Sequence, residues 1–486
     1  MNYLALDLGA GSGRAILGTI KDRKLQLKEI LRFENESVQL NNTIYWNFLS
    51  LFSSIKKSIA LAQKDYDIKG IAVDTWGVDF GLIDKSGKLI ANPVSYRDAR
   101  SEGTSKEVLK LISKEELYRI SGIQLMEINT LFQLYALQKE NDSVFEITNK
   151  LLFIPDLVNY FLTGKMANEY TIASTSQLLN AQTRNWETSL FQKLNIPQQI
   201  MGKVIHPGEC LGNLSKKIID ETNAKEANVF AICSHDTASA IGAIPDLGDD
   251  CLFLSSGTWS LLGIVSEQPI LTEKALLNDF TNEGGADNKI LFMRNITGLW
   301  LLQCLIAEWE KEKKEISYSF LLEECAKATA FRSIINSDND LFFNASSMTK
   351  AIQSFCLQSG QELPHTQGEF VRCVLESLAL KYYHVVEKLK ECSGRKFNRL
   401  QVVGGGSLNE ELNQFIANAL NVTVVTGLTE ATAIGNIMQQ AISDGVVASW
   451  NDAHEIIKNS FNFKSYHPMQ TEQWATIIEK TKEYFT

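Results

Sequence analysis

A glycine-rich turn near the start of the chain constrains its fold more than any other feature. The apolar runs Tyr3–Leu8 and Ala15–Ile20 alternate or nearly alternate, which predicts two strands, and the segment Asp7–Arg14 joins them. Its three glycines indicate backbone at positive φ or backbone that lies close to a ligand. Without side chains to shield them, several amides can point at one anion. We therefore predict a strand–turn–strand phosphate site.

Two charged side chains belong to this segment. Asp7 ends the first strand, where its carboxylate is placed to hold a divalent cation against a bound anion, and Arg14 adds a fixed positive charge. A dinucleotide-binding fingerprint would need a helix to begin at the turn, and a P-loop would need a Lys followed by Ser or Thr. The chain instead continues as a strand and has no such Lys. A glycine-rich hairpin with a buried Asp is the structural alternative.

Length and charge narrow the class of protein. With 486 residues the chain is too long for one hydrophobic core, which predicts two domains. Its formal net charge of −10 argues against nucleic acid or an anionic membrane as a partner. The amino end has no basic region of the kind found in signal peptides, and no apolar run approaches transmembrane length. We therefore expect a cytoplasmic protein.

Eight cysteines are scattered along the chain without CxxC or His/Cys metal spacing, so zinc is not expected and the thiols are expected to be free. Cys356 and Cys373 flank a polar segment and could be neighbours in space. The simpler expectation is that both thiols are buried and never form a disulfide.

The order of predicted elements favours a ribonuclease-H-like α/β fold. Three strands open the chain, apolar residues at helical spacing predict a helix at Phe48–Gln63, and Ile68–Asp74 is apolar in the manner of strands buried on both faces. A strand meander followed by a helix and a buried strand is typical of that fold class. Further along, Leu152–Gly164 is predicted as a helix interrupted near Pro155, and the polar segment Glu169–Trp186 as loops lining a site.

The second half of the chain repeats this opening in outline. Cys251–Leu254 and Trp259–Val265 are predicted strands joined by a turn of small residues, like the first hairpin. The acidic, turn-rich segment Pro245–Asp250 precedes them and indicates a domain boundary. We predict two ribonuclease-H-like (actin-like ATPase) α/β domains, residues 1–244 and 245–486, with the active site in the cleft between them.

Two small-residue turns in the second half suit a nucleotide. Thr258 lies in a Ser/Thr-rich turn and has a hydroxyl that could bond a terminal phosphate, although such turns are usually only structural. Gly404–Gly406 lies between a predicted strand and the predicted helix Leu408–Leu420, and its bare backbone could hold a base or sugar. The helix N-terminus behind it favours anions. A tight strand–helix connection is the alternative.

Asp236 follows the buried strand Val229–Cys233, and a carboxylate there can accept the proton of a substrate hydroxyl. Asp is also a favoured N-cap, and the predicted helix Ala238–Ala243 starts just after it. Capping is therefore the alternative, and both roles can hold at once. The segments Asp74–Asp79 and Tyr96–Asp98 bring aromatic and charged groups to strand ends, which suits a sugar. A core Trp and a surface Arg–Asp pair are the alternative.

Eight segments together resemble the FGGY carbohydrate kinases, over the chain from the first strand to about residue 450. They are, in order, Asp7–Arg14, Asp74–Phe80, Tyr96–Arg100, Ser234–Ala240, Ser255–Leu261, Gly298–Gln303, Val403–Gly406 and Glu430–Gly435. The glycine motifs are shared widely among actin-like ATPases, whereas the second, fourth and sixth segments are more specific within the family.

The resemblance implies a kinase that uses ATP and Mg²⁺ to phosphorylate a ketose. L-rhamnulose is the sugar that the more specific motifs favour, with L-fuculose or L-xylulose as alternatives. A non-catalytic actin-like nucleotide-binding protein is the alternative from another class. The implied partners are ATP and the ketose, without nucleic acid or membrane, in a monomer or small homo-oligomer. The first domain would carry the sugar site and the phosphate hairpin, and the second would bind the nucleotide.

The resemblance also implies roles for individual residues. The residues implied to contact ATP are Ala10, Gly11, Ser12, Gly13, Arg14, Thr258, Gln303 and Gly405. The residues implied to contact the sugar are Gly77, His235, Asp236, Thr237 and Asn295, and those expected to form an apolar wall at its far end are Trp76, Tyr96 and Ile128. Asp236 would accept the proton and Asp7 would hold Mg²⁺. One departure is that the turn reads Ala10-Gly11-Ser12, where the family commonly has serines at both positions after Ala, so one hydroxyl contact to phosphate is missing.

Overall fold

The computed structural model describes residues 1–311, 316–343 and 345–485, and the chain divides into two compact units. The first unit contains Met1–Pro245, Val265–Phe292 and Glu430–Phe461. The second contains Asp246–Ile264, Met293–Thr429 and Asn462–Thr486. The division therefore differs from a single cut between residues 244 and 245, because two later segments of the chain pack with the first unit.

A six-stranded sheet is the centre of the first unit. Its strands, in spatial order, are Cys210–Asn213, Asn228–Phe230, Ile68–Thr75, Asn2–Leu8, Ser12–Lys21 and Lys24–Glu34. Asn2–Leu8 pairs antiparallel with Ser12–Lys21 and parallel with Ile68–Thr75. The helix Phe48–Asp65 buries Ile55 and Ile59 in the hydrophobic core of this unit. The predicted meander, helix and buried strand are confirmed.

Shorter elements surround this sheet. The remaining strands of the first unit are Ser37–Leu40, Thr43–Trp46, Phe80–Asp84, Thr148–Phe153, Asn168–Glu169, Leu179–Asn180, Asn185–Trp186, Val204–Ile205 and Thr281–Gly284. Its other helices are Thr104–Leu111, Lys114–Ser121, Thr130–Asn141, Val144–Ile147, Ile154–Thr163, Tyr170–Ser174, Thr188–Lys193, Lys216–Thr222, Asp236–Gly242, Glu273–Leu277, Ala431–Ser443 and Trp450–Ser460. Single 3₁₀ turns lie at Ala99–Ser101, Gln198–Ile200 and Ala286–Asn288.

Two predicted segments in this unit differ from the structure. The helix expected over Leu152–Gly164 is present as Ile154–Thr163 and is not interrupted at Pro155, but its first two predicted residues belong to the preceding strand Thr148–Phe153. An apolar run cannot be assigned by periodicity alone, and Pro155 stands in the first helical turn, where its missing N–H costs no hydrogen bond. The segment expected as loops contains the buried helix Tyr170–Ser174, because Glu169 accepts hydrogen bonds from its first amides and so caps it.

The second unit opens with the predicted hairpin. Cys251–Ser256 pairs antiparallel with Trp259–Ser266 and parallel with Arg399–Val403, which pairs parallel with Thr423–Thr426. The other strands of this part of the chain are Ile290–Thr297 and Lys464–Tyr466. The helices are Trp300–Lys311, Tyr318–Lys327, Asp340–Phe343, Met348–Gln358, Gln367–Ser393, Glu410–Leu420 and Thr471–Thr481, with 3₁₀ turns at Gly405–Leu408 and Lys482–Phe485.

Cys356 and Cys373 lie on adjacent helices of this unit, buried, with thiols close enough to hydrogen-bond; both are free. None of the helices described by the structure combines the length and apolarity that crossing a bilayer needs.

The helix Ala431–Ser443 packs in the first unit although it lies far along the chain. Gly435 meets the helix Asp236–Gly242 so closely that a Cβ atom there would lie 1.9 Å from the carbonyl oxygen of Ser239. Two buried amides also join the late helix to the central strands. Asn436 donates to Asp74 Oδ2 at 2.6 Å, and Gln440 donates to the Leu4 carbonyl at 3.2 Å.

We expect Gly435→Ala to destabilise the protein. In an open helix the same change would stabilise it by about 1 kcal/mol, so a loss of about 1–3 kcal/mol from overpacking would reverse the usual sign. Chemical denaturation of the whole protein measures the change in the free energy of unfolding. Ser443→Ala, a half-buried position on the same helix, serves as the control with little expected change. A gain in stability for Gly435→Ala would contradict the close packing.

Candidate active site

Three carboxylates meet at one edge of the central sheet. Asp7 stands opposite Asp74 in the parallel pairing of their strands. Thr75 forms a parallel bridge to His235, which places Asp236 at the same edge. Burial raises the pKa of Asp7, Asp74 and Asp236 above the ordinary value of 3.8, and the charges of Asp7 and Asp236 raise the pKa of Asp74 further. A positively charged ligand at this edge would therefore be stabilised by the three carboxylates.

Arg14 does not supply unpaired positive charge to this edge. It stands opposite Asp7 in the hairpin and bonds the Asp7 carboxylate. Its other terminal nitrogen lies 2.5 Å from Glu430 Oε2. The sequence predicted the cation but not its two acidic partners, and Glu430 is more than 400 residues away in the chain.

The glycine-rich turn has the predicted position but a different backbone. Gly9, Gly11 and Gly13 all lack positive φ, which leaves close approach to a ligand as the other expected reason for these glycines. The Gly9 amide donates to the Ser12 carbonyl at 2.9 Å and is therefore used within the turn. Gly13 is needed for packing, since a Cβ there would lie 2.2 Å from the Phe33 ring.

Gly11 is the open position of the turn, because a Cβ built there meets no atom within 4 Å. The backbone amides of Ala10 and Gly11 donate to no acceptor in the described parts of the chain. Asn35 holds the turn from behind by donating to the Gly9 carbonyl at 2.8 Å. Ala10 and Gly11 thus remain as the amides able to point at an anion.

The residues at this edge fit a divalent cation held together with phosphate. Asp74 Oδ1 is buried and accepts no hydrogen bond from the described residues, and Asp7 faces it. Within the described ranges, no group of three or more His, Cys, Asp or Glu side chains forms a complete metal cage. A hard cation that keeps water and phosphate ligands needs only one or two carboxylates.

His235 lies between two carboxylates. Its Nε2 atom lies 3.4 Å from Asp236 Oδ1, and its Nδ1 atom lies 3.2 Å from Glu283 Oε2. Burial by itself would lower the pKa of His235, but the contact with Glu283 and the charges of Glu283 and Asp236 raise it. Sequence reasoning missed Glu283 because no motif surrounds it and its segment was assigned to the other domain.

Asp236 is the first residue of its helix and not the N-cap, which is His235. Its Oδ1 atom accepts from the Thr237 amide at 2.6 Å. Burial raises the pKa of Asp236, while the charge of His235 and the hydrogen bond from Thr237 oppose that rise. Because the N-cap is His235, capping does not explain Asp236, and its buried carboxylate remains as a candidate base.

Asp79 organises an aromatic cluster beside the site. Its Oδ2 atom accepts from Trp46 Nε1 at 2.6 Å, Trp76 Nε1 at 2.9 Å and the Tyr96 amide at 3.1 Å. The ring centroids of Trp46 and Trp76 are 4.5 Å apart. Trp46 was missed by the sequence analysis because it lies in a short edge hairpin without a motif. Ile128, also expected in an apolar wall, is half-buried and has no ring to stack.

Gly77 and Val78 form a tight backbone segment next to this cluster. A Cβ on Gly77 would lie 3.1 Å from Thr175 Oγ1, and the same hydroxyl accepts from the Val78 amide at 3.1 Å. Val78 has φ of 66°, which is strained for a β-branched residue. The Thr130 hydroxyl holds it by donating to the Val78 carbonyl at 2.7 Å.

The remaining predicted residues lie in the second unit. Thr258 Oγ1 donates to Gln303 Oε1 at 3.1 Å, so the structure brings these two together. Asn295 stands half-buried on the strand Ile290–Thr297. The predicted helix behind Gly404–Gly406 begins later, since a 3₁₀ turn intervenes and Asn409 caps the helix.

Glycine is required for a different reason at each position of the loop Gly404–Gly406. Gly404 has φ of 81°, in the left-handed region that favours glycine. A Cβ on Gly406 would lie 2.0 Å from Ser256 Oγ, so that position is needed for packing. Gly405 alone meets nothing within 4 Å and leaves its backbone open to a ligand.

Models of known protein families match most of the chain. The model of the N-terminal domain of the FGGY family of carbohydrate kinases matches residues 2–242, and that of the C-terminal domain matches residues 252–443. The chain belongs to the FGGY family of carbohydrate kinases. As a carbohydrate kinase, it uses ATP with a divalent metal.

Individual FGGY relatives agree over nearly the whole chain. A rhamnulokinase of Bacteroides thetaiotaomicron is 42% identical over 474 residues, 97% of each chain. A rhamnulokinase of Bacillus subtilis is 35% identical over 486 residues, 99% of this chain and 98% of the relative.

Solved structures support the fold. Gluconate kinase from Lactobacillus acidophilus has a TM-score of 0.82 at 16% identity, covering 100% of this chain and 96% of that one. Glycerol kinase of Plasmodium falciparum with ADP has a TM-score of 0.80 at 15% identity, covering 99% and 97%. The predicted two-domain, actin-like α/β fold is confirmed.

We expect Asp74→Asn to raise the unfolding temperature at pH 8 in EDTA. A raised pKa means that the folded state holds the Asp74 proton more tightly than the unfolded state, so stability falls as pH rises from about 3.8 toward the folded pKa. Asn keeps an acceptor for Asn436 without the buried charge. Thermal unfolding at several pH values measures this, with a gain that shrinks as the pH falls.

Asp84→Asn is the control of opposite sign. Hydrogen bonds from the Lys88 amide and Ser86 lower the pKa of Asp84, so removing its charge should not stabilise the protein at pH 8. A lower unfolding temperature for Asp74→Asn at pH 8 would show that the Asp74 charge is compensated without metal.

Proposed function

We propose that this enzyme transfers the terminal phosphoryl group of ATP to O1 of L-rhamnulose, giving L-rhamnulose 1-phosphate and ADP in the catabolism of L-rhamnose. The observation that carries the proposal is Asp236, a buried carboxylate at the acidic sheet edge beside the phosphate turn. The rhamnulokinase relatives, 35–42% identical over nearly the full chain, support the choice of sugar. The reaction is proposed to take place in the cytoplasm.

Asp236 is proposed as the proton acceptor. The C1 hydroxyl of the sugar loses its proton as its oxygen attacks phosphorus, and a carboxylate within hydrogen-bond reach can take that proton. Burial raises the pKa of Asp236 and so strengthens it as a base, while the charge of His235 and the hydrogen bond from the Thr237 amide oppose that rise. The Thr237 bond also fixes the carboxylate in one orientation.

The phosphate groups of ATP are proposed to meet the turn Ala10–Arg14, where the amides of Ala10 and Gly11 are free to donate. Asp7 is proposed to hold Mg²⁺, with Asp74 opposite it. When bound, the ion supplies positive charge to oxygens that gain negative charge during transfer. Thr258, Gln303 and Gly405 are proposed as the contacts to ATP from the second unit.

The sugar is proposed to contact Gly77, His235, Asp236, Thr237 and Asn295. His235, held against Glu283, can donate to a hydroxyl from a fixed position. The aromatic cluster of Trp46, Trp76 and Tyr96 offers an apolar wall for the C6 methyl group. A kinase for L-fuculose or L-xylulose, or a non-catalytic nucleotide-binding protein, is less well supported by the relatives.

We expect Asp236→Asn to lower kcat about 10²–10⁴-fold, the usual contribution of general base catalysis. ATP binding and the thermal midpoint should change little, because Asn can still accept from the Thr237 amide. A coupled ADP-release assay with calorimetric ATP binding tests this. Asp65→Asn, at an exposed helix end, should leave kcat unchanged. A near-normal kcat for Asp236→Asn would refute the proton-acceptor role.

A panel of sugars tests the substrate. We expect kcat/KM to be highest for L-rhamnulose and at least about tenfold lower for L-fuculose, because a mismatched hydroxyl leaves a polar group of the site unpaired. Glycerol should be poor, since it fills neither the apolar wall nor the distal polar contacts. If L-fuculose, L-xylulose or glycerol ranked first, the enzyme would still be a kinase but not one for L-rhamnulose.

A further inference from the structure

Arg97 lies at the glycine-rich turn without an acidic partner. Its Nη1 atom lies 3.4 Å from the carbonyl oxygen of Ala10, a long contact at the turn itself. In the described parts of the chain no carboxylate lies within ion-pair distance of its guanidinium. Arg14, the other arginine at this turn, has two acidic partners, Asp7 and Glu430. The two arginines therefore differ in the charge that they can offer a ligand.

The charge balance at this edge calls for a further cation. Asp7, Asp74, Asp236 and Glu430 contribute carboxylates, and Arg14 is the cation paired among them. A phosphoryl group brought to such an edge meets net negative charge unless other positive groups face it. A single divalent ion offsets only part of this, so an arginine without an acidic partner beside the turn is available for the phosphoryl oxygens.

The exposed Arg97 side chain lies over two aromatic rings. Its guanidinium carbon lies 5.2 Å from the ring centroid of Tyr96 and 5.7 Å from that of Trp46. Asp79 accepts hydrogen bonds from the Trp46 ring and from the Tyr96 backbone amide. Stacking on aromatic faces orients a planar guanidinium, and the donors that do not contact the Ala10 carbonyl or the Tyr96 hydroxyl remain for an anion.

Tyr96, whose ring lies under Arg97, is also near the proposed proton acceptor. The Tyr96 hydroxyl is within electrostatic reach of both Arg97 and Asp236. The group that is transferred passes between the nucleotide phosphates and the sugar oxygen near Asp236. An arginine beside the turn, stacked on a tyrosine that is near Asp236, can bind that group during the reaction.

We propose that Arg97 binds the phosphoryl group in transfer, on the terminal phosphate of the nucleotide or on the phosphate of the sugar product. This inference rests on the proposed kinase function. A planar guanidinium makes two parallel hydrogen bonds to phosphate oxygens, which a lysine cannot reproduce. Arg97 would therefore contribute to catalysis and to retention of the product, without contributing to the affinity for ADP or for the free sugar.

The test compares ligands that differ only by this phosphoryl group, with Arg97→Gln, Arg97→Lys and the control Arg184→Gln. Arg184 lies over the Tyr170 ring at 5.6 Å, so the control also removes an arginine stacked on a tyrosine. Calorimetry measures the affinities of the nonhydrolysable ATP analogue AMP-PNP and of ADP, with Mg²⁺. Inhibition by L-rhamnulose 1-phosphate is compared with direct binding of L-rhamnulose.

For Arg97→Gln we expect at least about tenfold weaker binding of AMP-PNP or of the sugar phosphate, with ADP and L-rhamnulose affected less than about threefold. The arm that weakens identifies the source of the phosphate. The kcat should fall about 10²-fold or more, Arg97→Lys should recover only part of the loss, and Arg184→Gln should resemble the unaltered enzyme.

A selective loss of about fivefold or less in both arms, or an equal loss for ADP and L-rhamnulose, would overturn the inference. The nucleotide arm needs no turnover, so it still tests Arg97 if the enzyme does not phosphorylate L-rhamnulose. Failure to phosphorylate L-rhamnulose would refute the proposed function alone and would leave the inference about Arg97 to the nucleotide arm. A fold check by thermal unfolding accompanies each variant, and the lysine variant retains the charge if the glutamine variant is unstable.

Discussion

The buried hydrogen bond from Asn436 to Asp74 joins the late helix Ala431–Ser443 to the sheet edge where the candidate chemistry lies. Gly435 allows that helix to approach the Ser239 carbonyl, and so sets how deep Asn436 reaches. The residue before the helix, Glu430, pairs with Arg14. Because buried polar groups are usually paired, the position of this helix decides which partners Asp74 and Arg14 have.

The electrostatics of that edge follow from burial. Three aspartates are taken out of water with one fully paired arginine among them, and each has a raised pKa. Such an arrangement costs stability and is retained where positive charge arrives with a ligand. Neighbouring polar groups moderate the cost. Glu283 raises the pKa of His235 beside Asp236, and Asp79 accepts a hydrogen bond from the Trp46 ring that lies under Arg97.

Much of the fold could be predicted because local patterns agreed with the final packing. The first hairpin, the helix after it and the strand Ile68–Thr75 were predicted to within three residues at each end. The strand Thr148–Phe153 was missed, since an apolar run of that length suits a strand or a buried helix equally. The helix Tyr170–Ser174 was missed because a cap on Glu169 and burial, rather than periodicity, stabilise it.

The sequence by itself determined which residue types stand at the ends of the strands, since the glycine turn, Asp7, Asp74 and Asp236 all follow recognisable local patterns. Only the tertiary structure decided which charges are paired. Arg14 and Arg97 look alike in the sequence, but Arg14 is neutralised from a segment more than 400 residues away and Arg97 is not. Pairing depends on long-range packing, because Coulomb energy falls with distance in space and takes no account of distance along the chain.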